Sequence, residues 1–383
     1  MPPDEAATSP IPCQNEISRC HCFMHSMWNF VTAPLHPKSF AITTTCFTVM
    51  LLCCVATINW LVNPYSQYSS NLLAPLVRDS RSEKVALFEQ QQQPSEGLIL
   101  GSSRTMKFEP KYLQHRTNLR FFNFGVNHGR PEDFLAIVLL YKNSFGQFPK
   151  SVLIGVDVAA LSDTVPSDAR LNAEPKLYSQ VRYDLPWTDE FDRLTQLLSY
   201  QQFASSIKSI QKVLTSNSLK ITSKATEAFD ADGVIQYLQR ESERLAGSYD
   251  FDKAIQYNEL EFLTVFRGMT SLSKTRIKYL QKAVAQCEQN GCQVTLFLTV
   301  HHPILRETLS NKTAFVRLEQ NAKEALQNLA DESQARFVDL STIDTFGGDP
   351  KEFVDGVHPL EPNTRRMIDR LFPQSTKEQY AIQ

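Results

Sequence analysis

Charge of one sign is what this chain most plainly lacks. Its 39 Lys and Arg face 41 Asp and Glu, a formal net charge of −2 over 383 residues. That balance excludes nucleic acid, or any acidic polymer, as a partner held by bulk electrostatics. Cysteine is scarce too: eight in a chain of this length make no disulfide framework. Cys13, Cys20, Cys22, His21 and His25 do lie close together. Their spacing fits no zinc module and no second ligand pair follows, so no metal site is expected there. Helical and strand periodicity are missing from residues 1–38, a stretch rich in Pro, Ser, Cys and His. It reads as a disordered tail.

Charge of either sign is absent between Lys38 and Arg78, and within that gap the chain turns apolar. Residues 39–63 include Thr48-Val49-Met50-Leu51-Leu52-Cys53-Cys54-Val55-Ala56 and are long enough to cross a bilayer, which takes about 20 mainly apolar residues. Trp60 and Tyr65 suit one membrane interface, and Pro64 ends the helix. A cleaved signal peptide fits less well, because the basic residue lies far from Met1 and no small-x-small site follows. A buried core helix is the alternative, since Thr43, Thr44, Thr45 and Asn59 dilute the hydrophobicity. Lys38 flanks the amino side closely, which favours a cytoplasmic amino terminus and a main domain outside.

Residues 64–95 read as a stalk or linker, closed by Gln90 to Gln93 and Pro94. Strands and helices then alternate. The spacing predicts strands at Leu98–Gly101, Leu119–Phe124, Ser151–Val156, Gln293–Thr299 and Arg336–Leu340. It predicts helices at Pro110–Gln114, Pro131–Tyr141, Ser273–Gln289, Phe315–Ala330 and Glu361–Leu371. Five strands with intervening helices imply an α/β domain over residues 96–373, three-layer α/β/α around a parallel sheet, with a short tail at 374–383. Residues 160–268 break the alternation: they are polar, helical in period and without a good strand. That stretch reads as an insertion that caps or flanks the crevice. Cys287 and Cys292 bracket a helix-to-strand turn. They could pair in an exported domain, although two buried thiols are commoner.

The chemistry belongs at the carboxyl ends of the strands, where ligands bind in an open parallel sheet. Gly97-Leu98-Ile99-Leu100-Gly101-Ser102-Ser103-Arg104 is a short apolar run cut off by glycine and followed by two hydroxyls and a guanidinium. A serine on that turn is placed to act as a nucleophile, or merely to cap the next helical turn. Asp355-Gly356-Val357-His358-Pro359 lies in the loop after the fifth strand. An acid three residues before a histidine can hold Nδ1 and leave Nε2 facing a nucleophile, in chain order Ser, Asp, His. His301 and His302 follow the fourth strand and compete for the base role, though no acid lies within three residues of them. Arg104 could bind an anionic substrate group or pair with Asp157, the ion pair being the commoner arrangement. Asn311-Lys312-Thr313 matches a glycosylation sequon and also suits a helix start.

These blocks resemble those of the SGNH (GDSL-like) hydrolase superfamily. Gly101-Ser102-Ser103 resembles its first block, Asn123-Phe124-Gly125-Val126-Asn127-His128-Gly129 its second, and Asp355-x-x-His358 its last. The likeness spans about residues 40–372 and is strong only at the blocks. Among its members the membrane-anchored bacterial proteins that transfer D-alanyl or acetyl groups to teichoic acid or exopolysaccharide are most similar, with Gly-Ser-Ser in place of Gly-Asp-Ser and a single amino-terminal span. The resemblance implies Ser103 as nucleophile, His358 as general base and Asp355 as its orienter. One departure stands out: where soluble members end the third block with Gly-x-Asn-Asp, this chain has Gly155-Val156-Asp157. An ionised aspartate donates nothing to an oxyanion. The Asn127 side chain, with the amides of Ser103 and Gly129, is the candidate replacement.

The expectation is thus a single-pass, membrane-anchored SGNH-like acyltransferase or esterase. It would act on hydroxyl esters of a cell-envelope or exported polysaccharide, with no cofactor or metal, and could draw on a membrane-embedded acyl-donor partner. The alternative is a non-catalytic envelope assembly protein that keeps the fold.

Overall fold

The computed structural model describes residues 37–373 apart from 69, 71, 74, 77–78, 165–167, 186–190, 192–193 and 217–226. The amino-terminal tail with its Cys/His cluster and the tail from residue 374 lie outside the described residues. In chain order the elements begin with α1 (Pro37–Val62), α2 (Ser80–Glu89), β1 (Gly97–Leu100), α3 (Pro110–Thr117), β2 (Phe121–Asn123), α4 (Pro131–Phe145) and β3 (Ser151–Val156). The insertion contributes α5 (Ala169–Ala173), α6 (Pro175–Val181), α7 (Tyr200–Ser216), β4 (Ala228–Phe229), β5 (Ile235–Gln236), α8 (Leu238–Leu245) and α9 (Phe251–Gly268). The chain closes with α10 (Lys274–Glu288), β6 (Gln293–Leu298), α11 (Pro303–Lys312), α12 (Phe315–Asp331), β7 (Arg336–Asp339) and α13 (Glu361–Leu371).

Five parallel strands form one sheet in the order β2-β1-β3-β6-β7. Leu98 lies opposite Val152 across β1 and β3, and Val152 opposite Val294 across β3 and β6. Alternation along the strands divides the core. Leu98, Leu100, Val152 and Ile154 join one apolar cluster with Phe88 of α2, Phe134 of α4, Leu280 of α10 and Leu318 of α12. Ile99, Leu153 and Phe297 join another with Leu113 of α3 and Met367 and Ile368 of α13. With both faces covered the strands are buried throughout, as β1 and β3 are.

α1 is the one helix among the described residues long and apolar enough to cross a membrane. Residues from Thr57 onward form one compact unit. Within the stretch read as a stalk or linker, residues 64–95, the structure places α2. α2 packs on the sheet, and its Ser80, Arg81 and Lys84 side chains are buried because each finds a partner. Arg81, fully buried, makes a forked pair with Asp133 at 2.8 and 2.9 Å, and Lys84 Nζ donates to Asn123 O at 2.7 Å and to Gly233 O. The insertion also holds a strand pair, β4 with β5, too short to leave a period in the sequence. α11, for which the sequence spacing predicts no helix, forms with Pro303 in its first turn and His302 as its cap. Asn311 and Lys312 therefore end a helix. Cys287 and Cys292 are free and buried.

Candidate active site

β1 delivers the site. Gly101 follows it at φ +151°, and a Cβ there would lie 2.4 Å from Thr105 Cγ2 and 2.9 Å from the Gly155 carbonyl oxygen. Only glycine turns the chain in that space. The Ser102 hydroxyl, buried, accepts from Arg104 N at 3.3 Å and starts a 3-10 turn over Ser103–Thr105. Ser103 is half-buried, and its Oγ lies 2.8 Å from Nε2 of His358.

The partner ring comes from the loop between β7 and α13. His358 Nδ1 lies 2.9 and 2.8 Å from the two Asp355 oxygens, so the bare acid-x-x-His spacing produces the expected pair. The ring orientation with Nδ1–H on the carboxylate leaves Nε2 as acceptor for the serine hydroxyl. Asp355 Oδ1 also accepts from the amides of Val357 and His358, each at 3.0 Å. Burial would raise this carboxyl. The His358 ring and its hydrogen bond, the Val357 amide and Arg240 outweigh it and hold the group down at about 2.

The insertion braces this loop from several elements. Arg240 of α8 reaches Asp355 Oδ2 at 3.3 Å, and Arg244 donates to Phe353 O at 3.0 Å. Tyr249 donates to Val354 O at 2.5 Å, and Asn258 of α9 accepts from the Gly356 amide at 2.9 Å. The buried Tyr237 ring lies 6.2 Å from the His358 ring. Glu261, hydrogen-bonded to Asn258, is pushed up by burial and pulled back by His358 and Arg104 nearby. None of these residues carries a signal in the sequence beyond membership of a polar insertion.

The two rival histidines are committed elsewhere. His301 Nε2 lies 3.1 Å from the Arg104 guanidinium, and burial with Arg104 beside it holds the ring well below the usual histidine range. His302 Nδ1 accepts from Ile304 N at 3.3 Å while its Nε2 donates to Pro350 O at 3.1 Å. Arg104 itself pairs with Asp157 at 3.6 Å and donates to Thr299 Oγ1 at 3.1 Å, which in turn donates to Asp157 at 2.6 Å. The Asp157 carboxylate is thus engaged behind the turn.

No family model matches this chain, and no curated protein does. What the site can do is set by its own geometry. Of the candidate oxyanion donors, the Gly129 amide is not available, because it donates to Val126 O at 3.0 Å and closes the loop after β2. That loop is pressed on the Gly101–Thr105 turn, since a Cβ at Gly129 would lie 2.3 Å from Gly101 O. The Asn127 amide donates to Ser80 Oγ at 2.7 Å and its carbonyl accepts from Arg81 at 3.3 Å. Asn127 is therefore fixed to α2 by its backbone. The Ser103 N–H makes no hydrogen bond among the described residues, so it remains, with the Asn127 side chain, a candidate donor to an oxyanion.

Proposed function

We propose that this protein is a membrane-anchored serine acyltransferase or esterase of the SGNH-like type, acting on hydroxyl esters of a cell-envelope or exported polysaccharide. One arrangement carries the proposal: the unbroken hydrogen-bond line from Asp355 through His358 to Ser103. Helices against both faces of the sheet fit the three-layer α/β/α form of that superfamily. In the reaction, Ser103 Oγ attacks the acyl carbonyl as His358 Nε2 takes its proton, and Asp355 stabilises the imidazolium. The carbonyl oxygen gains the negative charge, to which the Ser103 N–H donates. Collapse breaks the ester C–O bond, and the proton passes from His358 to the departing alcohol. An acceptor hydroxyl, of sugar or water, then loses its proton to His358 and takes the acyl group from Ser103, and His358 returns that proton to Ser103 Oγ. With Asp157 in place of the third-block asparagine the oxyanion hole is lean, and each such donor is worth about 2.7–4 kcal/mol. That points to slow chemistry.

Labelling of the full chain with a serine-reactive fluorophosphonate tests this. Wild type should label at Ser103 and Ser103→Ala should not. His358→Ala should label on the order of 10²–10⁴-fold more slowly, the share a general base supplies. Ser102→Ala removes a turn cap but no reacting group, and should keep its label. Label retained by Ser103→Ala removes the nucleophile assignment. Wild type that resists label, where a soluble esterase reacts, is instead a non-catalytic envelope assembly protein.

A further inference from the structure

We propose that α7 and the segment leading into it form a second membrane contact, an interfacial helix lying among phospholipid headgroups beside the emerging end of α1. The inference rests on α1 spanning the bilayer, and two observations carry it.

The first is attachment. α1 has 26 residues, so at ~1.5 Å per residue it outruns the ~30 Å hydrocarbon core and its last turns lie at the interface. Those turns are bonded directly to the insertion. Asn59, fully buried, donates to Leu197 O at 2.7 Å and accepts from Ser206 of α7 at 2.8 Å. Just beyond, the Tyr65 hydroxyl lies 2.6 Å from Ser205 Oγ. Whatever medium surrounds Asn59 and Trp60 therefore reaches α7.

The second is an inverted burial pattern. A helix facing water hides its apolar stripe and shows its polar one. In α7 the polar stripe Gln202, Ser206 and Ser209 is buried. Of the apolar stripe, Phe203, Ile207 and Ile210 are only half-buried, and Leu214 is 71% exposed. The flanking Phe191, Leu194 (62%) and Tyr200 (84%) are exposed as well. Lys208 and Lys212, exposed one turn apart, supply charge for anionic headgroups. Aromatic rings, aliphatic side chains and lysines on one short segment match the chemistry of a bilayer interface.

The test uses the full chain with Trp28, Trp60 and Trp187 replaced by Phe, purified into liposomes of phosphatidylethanolamine and phosphatidylglycerol with brominated acyl chains. Single tryptophans are introduced by Leu214→Trp, Leu194→Trp and, within the span, Phe47→Trp. Leu214→Trp and Leu194→Trp should be quenched by brominated lipid nearly as strongly as Phe47→Trp, and shielded from iodide on both sides of the membrane. If both are open to iodide and untouched by brominated lipid while Phe47→Trp is quenched, α7 stands off the bilayer. The apolar stripe then belongs to a protein partner, and the proposal is overturned. If Phe47→Trp also escapes brominated lipid, the span itself fails and takes the inference with it.

Discussion

At the scale of single residues, the candidate site turns on how Asp355 is kept ionised while buried. Its carboxyl sits at about 2 against an ordinary 3.8. A depressed carboxyl stabilises the fold above its unfolded value and loses that contribution as pH falls through its folded one. The difference corresponds to ~2 kcal/mol, fully present above about pH 4 and gone near pH 2. Asp355→Asn should therefore be less stable than wild type at pH 6, and the gap between them should narrow steadily below pH 4. Thermal unfolding of the two proteins across that range measures it; a gap that stays constant with pH would mean the carboxylate charge contributes nothing. Arg240 bears on the same group, as the only side-chain cation among the described residues bonded to it besides the His358 ring.

At the scale of elements, β1 and β3 were legible because each is a short, mainly apolar run, and the Ser102-Ser103 turn because it follows the first of them. The Asp355-His358 pair was legible in its spacing alone. α2 was not. Its Ser-Arg-Ser-Glu-Lys opening looks solvent-facing, yet the forked contact of Arg81 with Asp133, 52 residues away, together with Val85 and Phe88, makes it part of the core. The same separation hid Arg240, which meets Asp355 across 115 residues. Asp168 adds a second carboxylate 3.6 Å from Arg81. Arg81→Met should thus strand the buried Asp133 carboxylate, while Asp168 keeps Arg170; losing one side of such a pair costs about 3–5 kcal/mol. The loss should appear as a large drop in the unfolding temperature and as slower labelling of Ser103, because α2 also holds the Asn127 backbone beside the nucleophile turn. An unchanged unfolding temperature would return α2 to the role of a linker.

At the scale of the whole molecule, what decides the biology is the side of the membrane on which the crevice opens. A hydroxyl-bearing envelope polymer is accessible only outside, so the proposed chemistry and the direction of α1 stand or fall together. Basic residues near a span stay on the cytoplasmic side, and only those within about 15–20 residues of its ends weigh heavily. Lys38 lies inside the first turn of α1, whereas Arg78, the first basic residue after it, comes 16 residues past Val62. The near neutrality of the chain adds no competing pull. The amino terminus should therefore remain in the cytoplasm, with the sheet, the insertion and the Ser103 crevice outside. A reporter that is active only outside the cytoplasm, fused after Gln383, should be active, and Lys38→Glu should lower that activity by sending a share of the chains in the opposite way. A silent reporter at normal expression reverses the orientation. The crevice would then face the cytoplasm, where no envelope polymer is within its reach, and the acyl acceptor would have to be a cytoplasmic hydroxyl instead.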